Sequence, residues 1–198
     1  MNIHTTLPVI FHPWNRLTEE ERNRQLIRHA QRRGGFAVTL NMKPDFEERV
    51  RHAEVPMRMI GKRMNSEFNR HDLRRLPILM MLEATRPDGR LHLHGVYLAN
   101  GLPKHRIHEA MRRAVGYVEG RSGSRQVMSK VITAADGWHN YIHKDCRWTR
   151  RLHALAADAR LCWISHAMTA TVRESYENKR LGKTPAANFV TAPLAHDA

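Results

Sequence analysis

The spacing of hydrophobic and polar positions changes repeatedly along the chain, and each change marks an element. An irregular opening through Trp14 carries Pro8 and Pro13. Thr18-Glu19-Glu20-Glu21 then has the residues of a capping box, in which the threonine hydroxyl and the third-position carboxylate satisfy each other's free backbone donors. A helix is predicted from about Glu19 to Arg33, stopping at Gly34-Gly35. Its apolar stripe is thin, Leu26, Ile27 and Ala30, which predicts a surface helix with arginines free to meet phosphates. Phe36 to Asn41, β-branched and apolar between Gly35 and Pro44, predicts a central strand. A helix start at Asp45 to Glu48 follows, and Pro56 interrupts the pattern. A helix is then expected from Pro56 to about Asn69, with Met57, Ile60, Met64 and Phe68 on its core face.

The strongest pattern lies between Pro77 and Leu98. Two aliphatic runs flank Arg86-Pro87-Asp88-Gly89, with Pro87 suited to the second turn position and Gly89 to the fourth, so the stretch predicts a β-hairpin. A turn closed by Arg86 and Gly89 places Thr85 opposite Arg90, Ala84 opposite Leu91 and Glu83 opposite His92. Opposed residues share a face and alternate residues return to it, so Glu83, His92 and His94 converge. One carboxylate and two imidazoles on one face form a small open site for a divalent cation. The competing reading of His-x-His on a half-exposed strand is a pair of solvated polar residues.

Beyond the hairpin, Ala99 to Leu102 predicts a turn and Pro103 the start of a helix through Val115. A Gly- and Ser-rich loop over Gly116 to Ser124, a strand over Gln126 to Thr133 and a short helix from Trp138 to Asp145 follow. Trp148 to Ala157 is basic and then alanine-rich, and Leu161 to Arg180 predicts one final helix. The expected organisation is a main domain over 1–160, a helix over 161–184 packed on it, and a mobile tail over 185–198.

Composition narrows the partner. Lys and Arg number 33 against 19 Asp and Glu, a formal net charge of +14 with a pI near 10.8. Such an excess points to a polyanion, and nucleic acid is favoured over membrane because no amphipathic basic anchor stands out. Two cysteines, Cys146 and Cys162, lie outside metal-finger spacing and suit a reducing compartment. The first residues lack the charged start and apolar core of a secretion signal, and no run spans a membrane. A soluble, cytoplasmic protein is expected.

The second chemical constellation is Tyr141-Ile142-His143-Lys144. Three residues apart on a helix, Tyr141 and Lys144 share a face. A phenol with an ordinary pKa of ~10 is a poor nucleophile unless a cation lies near it. Here the helix would bring a lysine, and the hairpin a metal. Tyr176 to Lys179 repeats the spacing, but Glu174 and Glu177 beside it would repel a phosphate. His139 and His143 either touch DNA, relay a proton or form a polar helix surface. Arg147, Arg150 and Arg151 around Trp148 suit single-strand contact by charge and stacking, although Trp148 suits a core position equally.

A strand like Phe36 to Asn41, then Glu83 with His92-Leu93-His94, then Tyr141 to Lys144, resembles in that order the three motifs of the HUH endonucleases. The closest likeness is the small single-tyrosine Rep type of rolling-circle elements, over about residues 36 to 144. The resemblance implies an α+β fold, a central antiparallel sheet flanked by helices with a ferredoxin-like split β-α-β core. It implies that Glu83, His92 and His94 hold Mg²⁺ or Mn²⁺, that Tyr141 attacks the DNA backbone, and that Lys144 positions the phosphate or metal. Asn41, ending the first strand, joins Arg147, Trp148, Arg150 and Arg151 as expected DNA contacts. The expected substrate is single-stranded or hairpin origin DNA. Unwinding and synthesis fall to a separate helicase and polymerase, because the chain has no phosphate-binding Gly-x-x-x-x-Gly-Lys-Ser/Thr loop. A single-tyrosine transposase, a mobilisation relaxase, a non-catalytic DNA-binding protein and a water-using hydrolase are the alternatives.

Overall fold

In the computed structural model, residues 12–86, 88–120, 125–156 and 159–183 are described. Helix α1 (Glu19–Arg32) opens on the predicted capping box: Thr18 accepts from the Glu21 backbone while the Glu21 carboxylate accepts from Thr18. Strand β1 (Phe36–Asn41) follows, then helices α2 (Pro44–Arg51) and α3 (Pro56–Arg70). The hairpin strands are β2 (Ile78–Ala84) and β3 (Leu91–Tyr97), followed by α4 (Lys104–Val115), β4 (Val127–Val131), α5 (Ala135–His143) and α6 (Cys146–Leu152). The described chain closes with β5 (Cys162–Ile164) and α7 (His166–Arg180). The five strands form one antiparallel sheet in the order β4-β1-β3-β2-β5, an α+β architecture with helices on both faces.

The hairpin register agrees with the turn chemistry. Glu83 pairs with His92 and Ala84 with Leu91. Thr85 donates to Arg90 O, and Gly89 donates to Thr85 O from a left-handed conformation at φ 68°. Pro87 lies outside the described residues.

The sheet separates two cores because side chains alternate along each strand. Leu91, Leu93 and Tyr97 of β3, with Ile78, Met80 and Leu82 of β2, pack beneath α2, α3 and α4. Leu79, Met81 and Val96 face the other way, against Leu26 and Ile27 of α1, Ile142 of α5 and Met168 and Val172 of α7. Glu83, His92 and His94 belong to this second face.

Several boundaries differ from the periodicity: the short helix expected to reach Asp145 ends at His143, and a separate helix, α6, takes Cys146–Leu152 where the pattern shows only a basic run. The expected helix over Leu161 to Arg180 is instead a strand and then a helix, so the sheet extends past residue 160. Cys162 pairs with Met81 and Ile164 with Leu79. Ser165 ends the strand: its Oγ accepts from Ile78 N and from Met168 N, and donates to Leu76 O. One hydroxyl thus caps α7 and anchors it to β2. Helix α5 begins about a turn before Trp138, where Asp136 sits in the first turn and takes both arms of the Arg28 guanidinium at 2.9 Å. The expected tail over 185–198 and the opening with Pro8 lie outside the described residues.

Gly95, between His94 and Val96 on β3, leaves no room for a side chain. An added Cβ would stand 2.0 Å from Leu79 O and 2.7 Å from Met80 Sδ. Gly95→Ala is therefore expected to lower stability by about 1–3 kcal/mol or more through overpacking, read as a lower urea midpoint with an unchanged denaturant slope.

Candidate metal and tyrosine site

Three elements meet at the site. Strand β2 brings Glu83 and β3 brings His92 and His94, with Leu93 between them buried in the opposite core. Helix α5 and its C-terminal cap bring Tyr141 and Lys144. His92 Nε2 lies 2.8 Å from His94 Nε2, which lies 3.1 Å from Glu83 Oε2; the third edge, His92 to Glu83, is 3.9 Å. Neighbouring ligands at right angles around a cation with bonds of about 2.1 Å stand roughly 3 Å apart, so two edges of the triangle match adjacent ligand positions and the third, His92 to Glu83, is longer. Glu83 Oε2 is buried and makes no hydrogen bond among the described residues. A cation fits this orphaned oxygen and the two imidazole nitrogens.

The ring of His94 is oriented from behind. Thr39, directly across β1 from His94, places its Oγ1 2.9 Å from Nδ1. With Nδ1–H donated to that hydroxyl, Nε2 keeps its lone pair for the site and the ring is held in place, as metal-binding histidines commonly are. Burial, then the neighbouring His94, holds the His92 ring below the ordinary imidazole range, which favours the neutral form a metal needs. Burial pushes the Glu83 carboxyl up, but His94, His92 and Lys144 outweigh it and leave the group below its ordinary value. Lys144 Nζ is 3.3 Å from Glu83 Oε1. Burial pulls the Lys144 ammonium down, yet Glu83 more than compensates and holds it cationic.

Tyr141 is gripped by its surroundings while remaining 42% exposed. Trp138 stacks on one side at 5.2 Å between centroids and 15° between planes. Lys144 Nζ lies 3.6 Å from the ring centroid, a cation–π distance. The His94 ring meets the tyrosine edge-on at 5.1 Å. Trp138 is itself fixed by its Nε1–H, which donates to Gly95 O at 3.1 Å. Beside Tyr141 a groove of about 600 Å³ runs along β1 and β4, lined by Thr39, Met128, Lys130, Trp138 and Tyr141 among others.

The remaining expected contacts divide. Asn41 stands on the site face opposite His92, but its side chain donates to Arg125 O. Arg147 is exposed and, with Lys144 and Arg150, lines a second cavity of about 540 Å³ against the start of α1. Arg150 Nε is committed to Ala159 O, and Arg151 is exposed. Of the two roles open to Trp148, packing is the one observed: it lies against the α2–α4 core with the Arg86 guanidinium over its ring at 5.2 Å. His139 is 1% exposed and approaches Glu20 O, so the polar-surface reading fails for it. The second Tyr-x-x-Lys is structural, with Tyr176 buried and its hydroxyl donating to His12 O. Thr39 and Trp138 were not among the expected site residues. Thr39 faces His94 only through β1–β3 pairing, whereas Trp138, one helical turn before Tyr141, was available from spacing.

No family model, curated protein or solved structure matches this chain. The functional reading therefore rests on the site itself.

Thr39→Val removes the hydroxyl behind His94 at nearly constant volume and is expected to weaken Mn²⁺ binding about 10–100-fold, measured by calorimetric titration. A separate expectation concerns acid. Burial, then the nearby His139, lowers His143 to about 4 from the ordinary 6.5. The fold tolerates its neutral ring, so this contribution is complete above pH 6.5 and is lost as pH falls toward 4, where the unfolded chain binds the extra proton. His143→Gln should make the pH dependence of unfolding free energy shallower in that window, by up to one proton.

Proposed function

We propose that this protein is a metal-dependent endonuclease that nicks and rejoins single-stranded DNA through a covalent 5′-phosphotyrosine, with Tyr141 as nucleophile. The observation that carries the reading is the convergence, on one sheet face, of the Glu83-His92-His94 triangle with an exposed tyrosine held against a lysine cation. The order of these motifs along the chain supports an HUH enzyme of the single-tyrosine Rep type acting in rolling-circle replication. Transposition or mobilisation would use the same chemistry.

Glu83, His92 and His94 would hold a divalent cation, which withdraws charge from a phosphate oxygen when bound. Two imidazoles favour Mn²⁺ on affinity, and cellular abundance favours Mg²⁺. Trp138 limits the rotation of the Tyr141 ring, so the hydroxyl is pre-aimed and less freedom is lost on reaching an in-line geometry. As the Tyr141 oxygen bonds to phosphorus, its proton passes to solvent, the bond from phosphorus to the 3′ oxygen breaks, and that oxygen takes a proton to become a hydroxyl. Lys144, kept cationic by Glu83, stabilises the negative charge that builds on the phenolic oxygen and the phosphoryl group. Because the phosphodiester is exchanged for a phosphotyrosine ester, the free hydroxyl can reverse the reaction and reseal the strand. The groove along β4 offers space for unpaired bases next to the tyrosine, with Lys130 available to a phosphate. Helicase and polymerase partners in the cytoplasm would supply unwinding and synthesis.

The test is a denaturing gel of the protein with single-stranded DNA from both strands of its own genetic neighbourhood, in Mn²⁺, Mg²⁺ or chelator. A metal-dependent protein–DNA band that survives denaturation is expected. Tyr141→Phe should abolish it while DNA binding persists, Tyr176→Phe should leave it intact, and His92→Ala should lose metal-dependent cleavage. Lys144→Ala should slow adduct formation about 10²–10³-fold. Cut DNA without attachment would assign the nucleophile to water, and a band retained in Tyr141→Phe would end the tyrosine assignment.

A further inference from the structure

Half of the chain's formal excess charge lies in two helices, α3 and α4, and their flanking turns, on the side of the sheet away from the tyrosine. Residues 56–77 and 103–116, which comprise α3, α4 and their flanking turns, hold ten Lys and Arg against three Asp and Glu, a formal net of +7 out of +14. Helices α1 and α7, on the tyrosine face, hold seven against five, a net of +2. The asymmetry is sharpened by how the acids are used. Glu67 pairs with Arg70, and Glu109 pairs with Arg113 while accepting from Tyr117. Arg58, Lys62, Arg74 and Arg75 are all exposed, and none has an acidic partner among the described residues.

The platform beneath these cations is rigid. Apolar residues of both helices, including Met57, Ile60, Met64, Ile107 and Met111, are fully or nearly buried in one core. Arg63 donates to Ala114 O and Arg113 O, and Arg106 donates to His71 O. The start of α4 therefore lies by the end of α3, and the end of α4 by its middle, so the two run antiparallel with their cations on a shared outer surface. Arg63 and Arg106 serve as cross-ties and Arg70 and Arg113 are held by acids, while Arg58, Lys62, Arg74 and Arg75 stay exposed. Helix α3 has 15 residues, about 22 Å in length, which matches the axial rise of roughly six base pairs at 3.4 Å each.

We propose that the α3–α4 face grips the phosphate backbone of double-stranded DNA, as a binding surface separate from the tyrosine site. Charge complementarity selects a polyanion, and a fixed array on a helical platform suits a stiff duplex better than a flexible strand that would have to be ordered on binding. Contacts of this type position a protein without reading bases. The surface would hold duplex on one side of the sheet while single-stranded DNA is presented to the other.

The test uses the full chain in chelator, with fluorescence anisotropy of a labelled duplex of arbitrary sequence and of labelled oligo(dT), each across a salt series. The variant Arg58→Gln, Lys62→Gln, Arg74→Gln, Arg75→Gln is expected to lose at least about tenfold in duplex affinity, with the slope of log affinity against log salt flattened by roughly 0.9 for each phosphate contact removed. Its oligo(dT) binding should change little. A charge-matched control, Arg16→Gln, Arg32→Gln, Arg173→Gln, Lys183→Gln, should retain duplex binding, and unfolding midpoints confirm that both variants are folded. Unchanged duplex affinity in the first variant overturns the proposal, as does an equal loss on oligo(dT) or in the control. Binding is read without metal or cleavage, so the result stands whether or not Tyr141 forms an adduct.

Discussion

Antiparallel pairing of β2 with β3 sets Glu83 directly across from His92, and the convergence of Glu83, His92 and His94 on one face depends on that register. Side chains alternate with a period of two, so a slip by one residue would turn His92 and His94 into the core now filled by Leu91, Leu93 and Tyr97. Several independent contacts hold the register. Gly95 packs against Leu79 O where no larger residue fits, Thr39 meets His94 from β1, and Leu93 fills the core between the two histidines. The site is therefore made of the same interactions that align the sheet.

The second constraint is the buried carboxylate. Glu83 is 4% exposed, and an ionised carboxyl at such a position is costly unless charge and hydrogen-bond partners surround it. Two imidazoles from β3 and the Lys144 ammonium from the end of α5 supply that surrounding. The contact joins helix to hairpin: Lys144 reaches Glu83 from the end of α5, whose buried Ile142 packs in the core with α1 and whose Asp136 takes the Arg28 guanidinium at the surface. The Lys144–Glu83 contact thus ties the tyrosine helix to the Glu83-His92-His94 group, and Trp138 stacks on Tyr141 beside it.

A sheet covered on both faces allows the protein to keep two surfaces apart. The side carrying the tyrosine combines half-buried aromatic rings, histidines and a carboxylate in a recess with an adjoining groove. The opposite side includes the α3–α4 pair, whose Arg58, Lys62, Arg74 and Arg75 are exposed without an acidic partner among the described residues. Because one sheet lies between them and each face has its own core, the two surfaces sit on opposite sides of the fold.

Local sequence determined much of this. The capping box, the helix face with Met57, Ile60, Met64 and Phe68, the hairpin turn, and the Glu83–His92 pairing all follow from spacing and turn chemistry, because each depends on neighbours within a few residues or across one tight turn. Trp138 was equally accessible, one helical turn from Tyr141. The tertiary structure alone decided the rest. A three-residue strand at Cys162–Ile164 is too short to show a period and exists because the edge of β2 was open to pair with it and Ser165 could end it. Thr39 joined the site through pairing of β1 with β3, strands separated by two helices and β2. His139 was buried, and Trp148 was covered by Arg86, through contacts with segments distant in the chain. Local rules cannot assign those environments, since burial and partnership are set by which remote surfaces the fold brings together.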